Sequence, residues 1–141
     1  PPSLSLLTVN ALCACVTISV VVECVLYSLE GLSLLVESIR LVKKRYNPNI
    51  DIEGILFTMF DGRLNLTQQV VREVKKHFAD KVFNTVIPRN VRISEAPSFG
   101  KPVIYFDASS RGAEAYESLV AEILSRHKAE DKAKKMQKEA K

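Results

Sequence analysis

The chain has 141 residues, 47% of them hydrophobic and 26% charged, with a formal net charge of +4. That length suits one domain with a core of its own and is short for two. From Arg126 on there are seven Lys or Arg against three Asp or Glu, which leaves thirteen of each sign before it; a body neutral overall excludes nucleic-acid binding by bulk charge and leaves only local clusters.

The first apolar stretch, Ala11 to Val22, runs into Glu23. It is shorter than the roughly 20 residues a membrane helix needs, and no cationic flank precedes it, so neither a membrane span nor a signal peptide is expected. Cys13, Cys15 and Cys24 lie in apolar sequence without the paired spacing of a zinc site, and read as small buried hydrophobes of a reducing, cytosolic protein. Within that stretch "VTISVVV", residues 16–22, is β-branched almost throughout and apolar on both faces, which predicts a buried parallel strand. A helix is predicted over Leu29 to Tyr46, with Leu29, Leu32, Leu35, Val36, Ile39 and Val42 at helical spacing, cations in its last turn, and "NPN" to stop it. Ile52 to Phe60 reads as a second strand, Asn65 to Phe78 as a second amphipathic helix burying Val70, Val71, Val74 and Phe78, and Val82 to Ile87 as a third strand.

Residues 86–102, "VIPRNVRISEAPSFGKP", carry Arg89, Arg92 and Lys101 around prolines and a glycine, and read as too rigid for helix and too polar for core. A last helix is expected from Ser109 or Ser110, burying Ala113, Tyr116, Leu119, Val120, Ile123 and Leu124. Beyond His127 large apolar residues nearly vanish. The predicted fold is α/β, a parallel sheet flanked by helices, with residues 1–125 as the body and 126–141 as a charged helical extension or disordered tail. No internal repeat is present. Three strands are few for this architecture, and the pattern reads as a piece of a larger fold.

Two constellations are candidates for function. Pro88 fixes the exit from the third strand, and Asn90 offers an amide able to donate to and accept from a base edge; on these residues alone a plain strand-to-loop exit is the preferred reading. Arg63, in the turn "FDGRLN", and Arg92, in the loop after the third strand, follow neighbouring parallel strands and so are expected at one edge of the sheet, where guanidinium forks suit phosphate oxygens; on these residues alone ordinary solvated arginines are the favoured reading. Lys75, Lys76 and His77 read as a solvated helix face. Glu53, Asp61 and Asp107 make no evident metal or acid/base pair, and neither histidine has a nucleophile beside it.

The order of "PPSL" (1–4), "LEGL" (29–32), "RLVKKRYNP" (40–48), "GILFTMFDGRLNLTQQVV" (54–71), "VFNTVIPRNVRISEAPSFGKPVI" (82–104) and "SRGAEAY" (110–116) resembles the ParA-type, or Soj-type, chromosome- and plasmid-partitioning ATPases, deviant-Walker P-loop proteins, over Pro1 to about Leu124. The resemblance is to their C-terminal half, a partial P-loop NTPase (Rossmann-like) fold. No "GKT" or "GKS" occurs, so the phosphate loop is missing from these residues, as is the aspartate that precedes Pro-Pro in the family. The sequence departs from the family's usual residues at Ser5, Val16, Val21 and Val25, each change making the first strand and its approaches more apolar or less turn-like. What the resemblance implies is an adenine rim at Pro88 and Asn90, nonspecific DNA binding by Arg63 and Arg92, ATP and Mg2+ as cofactors of the intact family with weak or no binding by this stretch, and a ParB-type partner. It also implies a cytoplasmic, nucleoid-associated location without membrane contact, and either self-association or dependence on a missing N-terminal half. The alternative is a catalytically inactive stand-alone DNA-binding or protein-interaction module.

Overall fold

The computed structural model describes residues 5–25 and 27–139, so "PPSL" lies outside the described residues. The three strands form one parallel sheet in the order β1-β2-β3, flanked by helices, as the sequence pattern predicts. By its internal packing the chain divides into two units, one up to Val82 and one from Phe83.

The first unit runs α1 (Leu6–Ala14), β1 (Thr17–Glu23), α2 (Ser28–Arg45), β2 (Asp51–Phe60), α3 (Asn65–Phe78) and a 3₁₀ turn at Ala79–Lys81. β1 and β2 pair in parallel from Thr17 opposite Asp51 to Glu23 opposite Thr58, with one irregularity between Ile18 and Ser19 that passes over Glu53. Parallel neighbours need a crossover, and α2 supplies it. Its apolar residues Leu32, Val36, Ile39 and Val42 are buried at the predicted helical spacing, with Lys43, Lys44 and Arg45 at the negative end of the dipole. On α3 the buried positions are Thr67, Val70 and Val74, while the expected Val71 and Phe78 are only half-buried.

The sequence pattern does not foretell α1. Apart from Thr8 and Asn10 its residues are apolar, inward and outward alike, so no periodicity betrays a helix. Leu12 turns inward to a core with Ile39, Val42 and Ile50, and the Asn47 side chain donates to the Leu12 and Cys15 carbonyls at 3.1 and 2.7 Å, closing the helix end. The helix also corrects the expectation for the cysteines: Cys24 is buried, Cys15 half-buried, and Cys13, one step round from Leu12, is exposed. Of the positions that depart from the family's usual residues, Val16, Val21 and Val25 are all exposed.

The second unit holds β3 (Val82–Pro88) from its second residue on, α4 (Val91–Glu95), a 3₁₀ turn (Ala96–Phe99), α5 (Val103–Phe106) and α6 (Arg111–Glu139). The segment expected to be too rigid for helix carries two helical turns. Asn90 caps α4 by accepting the Ile93 N–H at 3.3 Å. Pro97 sits in the first turn of the 3₁₀ segment, where its missing N–H costs nothing. Gly100, at φ 62°, ends that turn in the left-handed region that suits glycine. α6 begins after Ser110, whose hydroxyl accepts the Ala113 N–H at 3.2 Å, and runs on through the charged segment to Glu139. It buries Ala113 and Leu119, but Tyr116, Val120 and Leu124 are exposed, against expectation. Helical periodicity names a face; it does not say that anything covers that face.

Candidate functional site

Arg63 stands in the turn between β2 and α3, in the first unit. Asp61 organises that turn: one carboxylate oxygen accepts the Arg63 backbone N–H at 3.1 Å and its Nε at 2.9 Å, and the other accepts a terminal guanidinium nitrogen at 2.7 Å. The result is a two-point fork on a side chain that is 89% exposed. These bonds hold the guanidinium still more firmly protonated than usual. Two residues before the turn, Met59 adopts φ 52°, a left-handed conformation rare outside glycine.

In the second unit Pro88 ends β3, Asn90 caps α4 and Arg92 lies in the first turn of α4. The single oxygen of the Asn90 amide is engaged by the cap, which leaves the amide nitrogen as its donor. Arg92 is held by two carboxylates, Glu95 at 2.9 Å within its own helix and Asp107 at 3.2 Å from the end of α5. Asp107 is itself oriented by the Ser109 hydroxyl, which donates to it at 3.0 Å. Behind this loop Gly112, in the first turn of α6, faces α4 so closely that a Cβ there would stand 2.6 Å from Ile93 Cγ1 and 3.2 Å from the Asn90 amide oxygen.

The structure thus places Pro88, Asn90 and Arg92 on one short strand-to-helix segment and Arg63 on a turn of the other unit. The roles of Asp61, Glu95, Asp107 and Gly112 escape a reading of the sequence. For Asp61 a signal is available, since Asp-Gly followed by Arg places a short carboxylate two residues before a cation in a turn. Nothing in the sequence links Asp107 to Arg92. Lys75 and Lys76 are exposed as expected, and His77 meets Glu73 at 3.3 Å. Among the described residues no three His, Cys, Asp or Glu side chains gather as a metal site, and no helix is long and apolar enough to cross a membrane. A groove of about 760 Å³ lies between α2 and α3, lined among others by Leu32, Val36, Val74 and Phe78; two smaller ones in the second unit meet at Ile104 and Tyr116. Neither Pro88 nor Asn90 lines any of the three.

Comparison with known proteins places this architecture. Residues 5–103 match the CobQ/CobB/MinD/ParA nucleotide binding domain. The sporulation initiation inhibitor protein Soj of Bacillus subtilis is 58% identical over 125 residues, 89% of this chain and 49% of Soj. The chromosome partitioning protein ParA of Myxococcus xanthus is 52% identical over 126 residues, 89% of this chain and 44% of that protein. The chain therefore spans about half the length of the curated relatives it matches. Among solved structures, cobyrinic acid a,c-diamide synthase from Mycobacterium smegmatis with bound ADP and magnesium superposes with a TM-score of 0.70 at 26% identity, over 91% of this chain and 45% of the synthase. With a nucleotide-binding domain matched over most of its length and Soj and ParA relatives at this identity, the chain belongs to the CobQ/CobB/MinD/ParA nucleotide-binding domain family, on its Soj/ParA side.

Proposed function

We propose that this chain is part of a Soj/ParA-type partitioning ATPase that acts in chromosome or plasmid segregation, binding DNA without sequence preference through Arg63 and Arg92. The observation that carries the reading is the 58% identity to Soj over 89% of the chain, which takes in both arginine turns. Pro88 and Asn90 form the adenine side of the nucleotide pocket, with the Asn90 amide nitrogen as donor. ATP and Mg2+ are the cofactors of the assembled protein; the phosphate loop that would hold the triphosphate is not among these 141 residues. Arg63 on a turn and Arg92 on a helix of only five residues favour contacts to the sugar-phosphate backbone over base readout. A ParB-type protein is the proposed partner and the nucleoid in the cytoplasm the proposed location.

The test is a mobility-shift titration of the 141-residue chain on two unrelated duplexes. Arg63→Ala and Arg92→Ala should weaken both complexes alike, and each should flatten the dependence of log K on log salt by about one for every phosphate no longer neutralised. Equal binding by the double variant would assign both arginines to plain surface. The same preparation should show no ATP turnover above blank; turnover abolished by Asn90→Ala would refute that expectation.

A further inference from the structure

We propose that Asp61, and Glu95 together with Asp107, are internal competitors of DNA phosphate that set how tightly the two arginines bind a polyanion. The inference rests on the reading of Arg63 and Arg92 as phosphate contacts and adds the residues that tune them.

Asp61 grips Arg63 by two parallel N–H···O bonds of 2.9 and 2.7 Å, the same two-point geometry by which a guanidinium takes phosphate. Only one anion can fill that face of the fork at a time. The carboxylate is the anchored partner, 24% exposed and tied to the Arg63 backbone N–H, while the arginine is 89% exposed. A phosphate arriving from solvent therefore meets the guanidinium and has to displace the carboxylate or share the cation with it. At Arg92 the competition is stronger. One positive charge faces two carboxylates, so the cluster of Arg92, Glu95 and Asp107 carries a local charge of about −1 before any ligand arrives. Exposed ion pairs are worth little, so each competitor lowers affinity modestly without abolishing it.

Asparagine at position 61 keeps an oxygen for the Arg63 N–H, and at position 107 it keeps one for Ser109, so these variants remove charge while retaining the turns. At low salt Asp61→Asn and Asp107→Asn should each tighten duplex binding by about two- to fivefold. Combined with Arg63→Ala, Asp61→Asn should give no gain over Arg63→Ala alone. A purely structural role predicts the reverse, a lower melting temperature together with weaker binding. If the unaltered chain binds duplex and Arg63→Ala weakens it, yet Asp61→Asn binds no tighter, the competitor role is wrong and the DNA reading stands. If the unaltered chain binds no duplex, the DNA reading fails, and titration with inorganic tripolyphosphate, followed at the arginine Nε resonances, decides the competition: tighter binding by Asp61→Asn supports it, and unchanged binding overturns it.

Discussion

The Glu122 carboxylate on α6 gathers the backbone N–H groups of Asn84 and Thr85, both at 2.8 Å, and the Arg126 guanidinium at 2.6 Å. Arg126 in turn lies over the Phe83 ring, 4.5 Å from its centre. Burial alone would raise the Glu122 pKa; the β3 N–H groups and Arg126 outweigh it and hold the carboxyl at about 2, against an ordinary value of 4.5. Because the folded value is the lower one, the stabilisation is complete above pH 4.5 and is lost as pH falls from there through about 2. Glu122→Gln should cost on the order of 3 kcal/mol at neutral pH as an upper bound. Melting curves taken down the acid range should show variant and parent converging; a gap of constant size would show that the charge is not what matters. Sequence alone does not single this residue out, since a glutamate four residues before an arginine on a helix reads as a common surface pair. The carboxylate matters because it meets strand N–H groups 38 and 37 residues away, a distance no local pattern records.

At the scale of elements, what sequence makes legible follows the strength of the periodic signal. The α2 stripe from Leu32 to Val42 and the β-branched run of β1 are both plain, and α3 has the predicted bounds of Asn65–Phe78. The helix at Leu6–Ala14 is not, for want of a polar face, and the turns at residues 91–99 are hidden by prolines that sit where helices tolerate them. At the candidate site, residue types point to Arg63, Asn90 and Arg92, but their carboxylate partners are invisible wherever the pairing crosses from α4 to α5. The packing of α4 on the first turn of α6 belongs to the same class, because it depends on a missing side chain. Gly112→Ala would drive a methyl to 2.6 Å from Ile93 Cγ1, and Ile93 is the residue whose N–H the Asn90 cap holds. Repacking of this kind costs about 1–3 kcal/mol, here set against the roughly 1 kcal/mol by which alanine is the better helix former. The expected result is a net loss of stability with local signals moving first at Ile93 and Arg92 in an amide NMR spectrum. Unchanged shifts there, with a higher melting temperature, would mean that Ile93 swings aside freely.

At the scale of the whole molecule, the 141 residues leave apolar surface that relatives about twice as long have other chain available to cover. In the second unit Val120 is 56% and Leu124 54% exposed on α6, one and two turns beyond Tyr116, with Ile104 beside Tyr116 in the adjoining groove. In the first unit Val21 is 63% exposed on β1, which lies at an edge of the sheet. Each Val or Leu withdrawn from water is worth about 1.5–3 kcal/mol, enough for a few of them to hold two copies together at modest concentration. An open strand edge adds unpaired N–H and C=O groups that another strand can satisfy. Taken alone, these 141 residues are therefore expected to self-associate. The substitutions that should oppose this follow from burial: Val20 is 3% exposed, so a lysine there would bury a charge and unfold the unit, whereas lysine at Val21, or glutamate at Val120 and Leu124, adds charge where water already reaches. Sedimentation velocity over a range of concentrations should show the parent chain shifting to larger species, with Val21→Lys and Val120→Glu/Leu124→Glu each moving it toward monomer at little cost in melting temperature. A parent that stays monomeric at tens of micromolar, and is indifferent to all three changes, would show that neither face drives association.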